Sequence, residues 1–462
     1  MGTKTGLALR VVLALASGAL MPLCYQPFGW WPLMFVVLAL LLLAIRQATP
    51  RPAFYLGMLQ GMTGMSLTLA WLFHLFGPSA IPLHAILAAF TALTCALISL
   101  VVRRTGSDLA KVFAVAVLWT AVEYYRCEWF VLRFPWATPG TALGPTWLSP
   151  VLGVYGATFA MVAACAAVIH RRTRLGGLIG IAALAGLALF RPPPVELPGA
   201  AAVGVALVQS EECTSQPYLK LTEQALAKSP SLIVWPEYSL AYDVRKRSGI
   251  WQSLREMSVK SRAVMVVGTQ TEVGPGARDW HNTALVLDRG QIVGEYHKAR
   301  PVHFFDDGIA GNCFEPIHTR VGALGVLVCF DADYVELARR TVAAGAEFLI
   351  VPSFDAAPWS ATQHLQHGAL FRLRAAENGR WLACAASSGA SQIIDPHGNV
   401  RAKLPVMEDG LLPGAIAPAT GRTFFNRVGW LFPWLATAAA AALLASTFLR
   451  RWHLPKTTPN AF

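Results

Sequence analysis

Three short strings in the second half of this 462-residue chain each end a β-like run on a side chain able to take part in making a bond. They are Ile233-Val-Trp-Pro-Glu-Tyr-Ser239, Glu295-Tyr-His-Lys-Ala-Arg300 and Gly325-Val-Leu-Val-Cys-Phe-Asp331. Strand ends are where α/β folds expose their sites. A carboxylate (Glu237), an ammonium (Lys298) and a thiol (Cys329) brought into one pocket are sufficient for acyl transfer. The carboxylate removes the thiol proton, the thiolate attacks a carbonyl, and the ammonium stabilises the oxyanion that develops. Taken singly, each has a plainer reading: Cys329 as an inert core cysteine, Glu237 as a helix cap, Lys298 as a surface cation. Their occurrence together, in this order, is what points to chemistry.

Positioning them requires strands, and runs at 202–209, 232–236, 263–269, 283–288, 325–329, 348–352, 381–385 and 392–395 read as strands. Helical patterning falls between them at 218–228, 250–261, 335–344 and 363–378. This alternation predicts a layered α/β domain, an α/β/β/α sandwich if two sheets pack face to face. It begins after the Pro-rich linker Arg191-Pro-Pro-Pro-Val-Glu-Leu-Pro198. No fixed-period repeat or low-complexity segment interrupts it.

The rest of the chain belongs to another solvent. With 55% hydrophobic residues, 14% charged and a mean hydropathy of +0.46, much of the surface must face lipid. About eight apolar runs approach the roughly 20 helical residues that cross a ~30 Å hydrocarbon layer. They lie at 7–24, 31–45, 54–76, 82–102, 111–125, 148–170, 175–190 and 428–449. The division predicted is a membrane domain of seven helices over 1–192, a catalytic domain over 193–427, and a last span with a tail over 428–462.

Charge follows the same division. Between 196 and 427 there are 22 Lys and Arg against 23 Asp and Glu, so nearly all of the net +12 sits in the membrane part. It is concentrated at Lys4 and Arg10, Arg46 and Arg51, Arg103, Arg104 and Lys111, Arg171, Arg172 and Arg174, then Arg450, Arg451 and Lys456. These are alternate inter-span segments and both termini, the positive-inside pattern. It predicts cytoplasmic termini and a catalytic domain on the opposite face, and it sets nucleic acid aside as a partner.

Cys24, Cys95 and Cys165 fall in apolar runs, and Cys127, Cys213, Cys313, Cys329 and Cys384 show no C-x-x-C spacing, so no metal site is expected. Disulfide pairing on an oxidising outer face stays open. Trp30, Trp31 and Trp136 read as interfacial anchors, and Gly57, Gly61 and Gly64 as a close-packing helix face.

The three reactive strings resemble the Glu-Lys-Cys set of the nitrilase superfamily, and nearly the whole chain resembles the apolipoprotein N-acyltransferase family. The further matches are Gln26-Pro-Phe-Gly-Trp-Trp-Pro32, Phe134-Pro-Trp136, Gly153-Val-Tyr-Gly156, Val205-Ala-Leu-Val-Gln209, Gln363-His-Leu365, Arg374-Ala-Ala-Glu-Asn-Gly-Arg380 and Ile394-Asp-Pro-His-Gly398. The resemblance implies a polytopic α-helical membrane domain plus one nitrilase-like α/β domain inserted before the last span. It implies Glu237 as general base, Lys298 as oxyanion-side cation, Cys329 as nucleophile and the Phe330 N–H as a second oxyanion donor.

It also implies a ping-pong reaction without metal or organic cofactor at the outer, periplasmic face of a bacterial inner membrane. There an acyl chain passes from a phospholipid to the cysteine, then to the α-amino group of a diacylglyceryl-modified N-terminal cysteine of a lipoprotein. A long apolar donor does not diffuse usefully through water, so the nucleophile must sit beside the bilayer.

Several strings depart from the family pattern. Asp306 in Val302-His-Phe-Phe-Asp306 stands where a glutamate is usual and is expected to be the supporting carboxylate. Cys329-Phe-Asp331 replaces Cys-Tyr-Glu, making Asp331 another supporting candidate. Ser353-Phe-Asp-Ala-Ala-Pro-Trp359 and Ala385-Ala-Ser-Ser-Gly389 also differ. These rim changes leave room for a membrane-tethered amidase that discharges its thioester to water, or for a degenerate lipoprotein-binding protein. Transfer between lipids predicts a dry, lipid-facing cleft; hydrolysis predicts an open polar one.

Overall fold

The computed structural model describes residues 2–212, 214–274 and 279–453; Cys213 and the tail expected beyond 453 lie outside the described residues. The membrane part is built from helices Gly2–Leu20, Leu33–Ile45, Pro50–Thr68, Ala80–Val102, Asp108–Tyr124, Ser149–Ile169 and Arg174–Leu189, with Phe432–His453 after the catalytic domain. By length and composition, four segments among the described residues can cross a membrane: Gly6–Cys24, Leu72–Val102, Ser149–Ile169 and Gly429–Leu449. Leu33–Ile45 and Arg174–Leu189 are apolar but shorter.

The run expected at 54–76 is not one helix. Pro50–Thr68 ends, a five-residue helix Leu72–Phe76 follows, and Gly77, at φ +53°, turns the chain into Ala80–Val102. Pro50–Thr68 and Ala80–Val102 lie very close, because a Cβ on Gly57 would stand 2.8 Å from the Ala92 Cα and one on Gly61 2.7 Å from the Ala88 Cα. The small residues serve backbone approach, as in other lipid-embedded helix pairs.

In the catalytic part the strands are β1 (Val203–Gln209), β2 (Leu232–Val234), β3 (Val264–Glu272), β4 (Trp280–Asp288), β5 (Gln291–His297), β6 (Ile317–Thr319), β7 (Gly322–Val326), β8 (Phe348–Ser353), β9 (Leu382–Ala386), β10 (Gln392–Ile394), β11 (Val400–Lys403) and β12 (Gly410–Ile416). They form two six-stranded sheets, β12-β1-β2-β3-β4-β5 and β11-β10-β9-β8-β7-β6. The central pairs β1/β2, β2/β3, β7/β8 and β8/β9 are parallel, and the others antiparallel.

Parallel strands are buried on both faces and so read as continuous apolar runs; Leu232–Val234 and Phe348–Ser353 do. Val205, Val234 and Val266 of one sheet meet Val326, Phe348 and Ile350 of the other in a shared core. Outside it, Ser215–Leu226 and Ser248–Ser261 cover the first sheet and Val335–Ala343 and Ala361–Asn378 the second, giving four α/β/β/α layers.

Buried polar latches fasten this domain to the helices. Trp71 Nε1 donates to Gln366 Oε1 at 2.9 Å, and Gln366 Nε2 donates to the Gln26 and Thr68 carbonyls, both at 3.1 Å. The Val154 N–H donates to Glu377 Oε1 at 2.9 Å. Trp136 is not an interfacial anchor: it is 4% exposed, and its indole N–H donates to Asp333 Oδ2 at 2.6 Å. Trp30 is 57% exposed.

Candidate active site

Each reactive residue lies just past a strand. Glu237 follows β2 through Trp235-Pro236, Lys298 follows β5, and Cys329 opens a 3-10 turn, Cys329–Asp333, three residues after β7. All three are buried. Cys329 adopts φ +52°, a left-handed conformation that costs an L-residue about 1–2 kcal/mol and turns its side chain sharply out of the strand direction. Gly268 of β3 makes room on the opposite side, since a Cβ there would come within 2.7 Å of the Glu237 Cα.

Glu237 is at the centre. Its Oε1 accepts from Lys298 Nζ at 2.8 Å and Asn282 Nδ2 at 2.6 Å, and its Oε2 accepts from the Phe354 N–H at 2.8 Å, while the Cys329 thiol donates to the carbonyl of the same Phe354 at 3.6 Å. Burial pushes its carboxyl above the ordinary range; Lys298 opposes this and Asp307 reinforces it. The Cys329 thiol is raised well above its usual value, first by burial and then by the Glu237 charge. Lys298 is raised as well, because two carboxylates outweigh the burial that would neutralise it. The resting thiol is therefore held protonated by its burial and by the Glu237 charge.

The second carboxylate beside Lys298 is that of Asp307, not of Asp306. Asp306 is exposed, whereas Asp307 is buried and sits 2.8 Å from Lys298 Nζ. Asp307 also accepts from Asn282 Nδ2 at 2.7 Å, Tyr238 Oη at 2.5 Å and the Val302 N–H at 2.7 Å, and Lys298 holds it below the usual carboxylate range despite burial. Phe304, at φ +70°, twists the loop so that the second of two adjacent aspartates turns inward. Asp307→Asn is expected to slow Cys329 acylation about 10–100-fold, the size of losing charge-assisted hydrogen bonds worth ~1.5–3 kcal/mol. Asp306→Asn should leave it within about twofold, as single-turnover labelling with an acyl donor would register.

Asp331 ties two loops together instead of facing the thiol. It accepts from Tyr296 Oη at 2.9 Å and from the backbone N–H groups of Val328, Ala299 and Arg300 at 3.2, 3.2 and 2.7 Å. Burial raises its carboxyl to about 6. Phe330 follows Cys329, its ring edge-on to Tyr334 at 5.1 Å. Sequence reading missed Asn282, whose amide bridges Glu237 and Asp307; one polar residue inside a strand carries no distinguishing pattern.

A second buried charge cluster was also missed. His367 Nδ1 lies 2.7 Å from Asp355 Oδ1, and its Nε2 lies 3.2 Å from Asp333 Oδ1, an ion-pair distance without hydrogen-bond geometry. Its ring stacks on Trp136 at 5.6 Å. Asp355 and then Asp333 raise His367 to about 10 against the burial that lowers it, while His367 holds Asp355 low.

A histidine raised on folding stabilises fully below its unfolded value near 6.5, and that contribution is lost as pH climbs toward about 10. Asp355, lowered on folding, contributes above its ordinary value near 3.8 and loses its share as pH falls. The thermal midpoint in detergent should therefore fall between pH 7 and pH 10 in the native protein. In His367→Gln, already weaker by about 3–5 kcal/mol for a broken buried pair, that slope should be absent.

Cys329 lines a cleft of about 890 Å³ whose walls are mostly apolar. Leu72, Leu75, Phe76, Leu83, Ile86 and Leu87 come from the membrane part; Phe304, Phe305, Phe330 and Trp359 come from the catalytic domain. Phe76 packs against Phe304 and Phe305 at 5.9 and 5.7 Å, joining the two walls. Among the described residues no cluster of His, Cys, Asp and Glu could hold a metal ion, and the seven described cysteines are all free.

Two family models divide the chain as the structure does. Residues 17–167 match an apolipoprotein N-acyltransferase N-terminal domain, and residues 199–424 match a carbon-nitrogen hydrolase. The apolipoprotein N-acyltransferase of Azotobacter vinelandii is 31% identical over 95% of both chains. That of Geobacter metallireducens is 28% identical over the same shares. Among solved structures, the carbon-nitrogen hydrolase of Helicobacter pylori G27 is 24% identical over 46% of this chain and 89% of its own, with a TM-score of 0.41. With a relative above 30% identity aligned along nearly its whole length, and a thiol, an acid and an amine gathered under membrane helices, this chain belongs to the apolipoprotein N-acyltransferase family.

Proposed function

We propose that the protein moves an acyl chain from a phospholipid to Cys329, and from there to the α-amino group of a diacylglyceryl-cysteine at a lipoprotein N-terminus. The observation that carries this reading is the mostly apolar cleft, walled by a candidate membrane span, that contains the nucleophile. Hydrocarbon chains partition into such a cleft at about 0.8 kcal/mol per methylene, and water does not. This favours an amine acceptor over hydrolysis.

In the first half-reaction Glu237 takes the Cys329 proton and the thiolate attacks the ester carbonyl. The oxyanion is met by Lys298 and the Phe330 N–H. Collapse expels the lysophospholipid alkoxide, which takes the proton back from Glu237, leaving a thioester. In the second, the acceptor amine attacks the thioester, gives a proton to Glu237 and expels the thiolate, which is reprotonated. On this reading the chain passes eight times through a bacterial inner membrane with the domain over 193–427 inserted before the last passage, and the cation distribution supports a catalytic domain outside and both termini inside.

The test is mass spectrometry of one lipoprotein's N-terminal peptide from cells with and without this protein. A third acyl chain, amide-linked, should be present only in the former; an N-terminus unchanged between the two would refute the assignment.

A further inference from the structure

The cleft contains a charge that hydrocarbon does not need. Arg133, in the loop that also carries Phe134 and Trp136, lines the same cleft as Cys329 and is half-buried. Among the described residues its guanidinium has neither a carboxylate within ion-pair distance nor a hydrogen-bond acceptor; the bond recorded for Arg133 is its carbonyl accepting from Tyr334 Oη at 3.2 Å.

Neighbouring arginines are engaged otherwise. Arg126 donates to the Phe134 and Trp136 carbonyls at 2.9 and 3.0 Å, and Arg374 lies 2.9 Å from Glu377. The acid that shares the cleft, Asp355, is already taken up by His367 and Gln363. The imidazole of His303 lines the cleft too, and burial first, then the Arg133 charge, oppose its protonation. A half-buried guanidinium facing apolar walls is costly unless an anion meets it.

We infer that Arg133, with His303 beside it in the cleft wall, forms a subsite for the phosphodiester of the acyl donor. This rests on the phospholipid-to-cysteine reading above and deepens it. A guanidinium presents parallel N–H donors matched to two phosphate oxygens. In a glycerophospholipid the phosphate and the acyl esters share one glycerol, so a single molecule can present its carbonyl to Cys329 and its phosphate to another point of the same cleft. The acceptor's diacylglyceryl thioether has no phosphate, so the subsite acts on the donor half-reaction alone.

The experiment uses the full chain in proteoliposomes and follows acylation of Cys329 by intact-mass measurement. Two donors with identical acyl chains are compared, phosphatidylethanolamine and diacylglycerol, in native protein, Arg133→Gln and Arg133→Lys. With the phosphodiester donor, Arg133→Gln should raise KM about 10–100-fold, the equivalent of a charge-assisted hydrogen bond, with kcat little changed, and Arg133→Lys should recover most of the loss. With diacylglycerol the three proteins should be equal.

Equal slowing by Arg133→Gln toward both donors would make the residue a structural support and overturn the subsite. Binding of inorganic phosphate that depends on Arg133, with no change in the phospholipid KM, would make it a free-anion site and overturn it as well. Failure of native protein to acylate Cys329 from either donor would instead refute the acyl-transfer reading itself.

Discussion

Cys329→Ala is expected to abolish acyl-enzyme formation and to lower acyl transfer by about 10⁴-fold or more, the range seen when a covalent nucleophile is removed from a site whose other groups remain. The thiol is buried, donates to the Phe354 carbonyl and is held in the left-handed region at the head of a 3-10 turn, so alanine enters the same backbone with little strain added. Stability should change little, within about 1 kcal/mol, which separates loss of chemistry from loss of fold. Incubation with labelled phospholipid, followed by denaturing gel with and without hydroxylamine, reads the outcome. A hydroxylamine-sensitive label on the alanine variant would place the nucleophile elsewhere.

Lys298→Met should be nearly as severe, and for two reasons that can be taken apart. Lys298 Nζ is 2.8 Å from Glu237 Oε1 and 2.8 Å from Asp307 Oδ2, all three buried, so it is the cation that lets two carboxylates coexist. Without it one of them must bind a proton. Glu237, already raised, is the one that does so, and a protonated Glu237 cannot accept the thiol proton. The oxyanion loses its cation at the same time, worth about 10²–10³ in rate, while the uncompensated charge costs about 3–5 kcal/mol of stability.

The double variant Lys298→Met with Asp307→Asn removes one carboxylate along with the ammonium. It should regain most of the stability and none of the activity. Thermal denaturation and single-turnover acylation of both variants measure the two effects; activity returning with stability would show Lys298 to be a structural residue only.

Glu237 and Cys329 are legible in the primary order because each ends an apolar run, and a run that must be a buried parallel strand delivers its next residues to the sheet edge. Lys298 follows β5, an exposed antiparallel edge strand, and is legible through the resemblance of its string instead. The strands that escape reading, β5, β6, β11 and β12, are outer ones. β11 alternates half-buried and exposed residues, and β12 carries Pro413 and Gly414 at the sheet edge, where a missing N–H donor is tolerated. The choice between Asp306 and Asp307 cannot be read from a string, because spacing counts residues while a loop's twist decides which side chain turns inward.

Trp136 shows the same limit from the membrane side. An indole near a predicted span is ordinarily an anchor in the headgroup layer, yet this one is covered by the catalytic domain and bonded to Asp333. His367, one of two histidines in its helix, gives no sign that Asp333 and Asp355, from two separate segments, will enclose it. Hydropathy, charge placement and apolar periodicity are local sums, and the sequence by itself determined what depends on them: a lipid-embedded part, a layered α/β part and the strand ends where reactive groups emerge. Only the tertiary structure decided which carboxylate supports Lys298, which buried charges pair and what walls the cleft, because burial and hydrogen bonding act through distances that residue order does not encode.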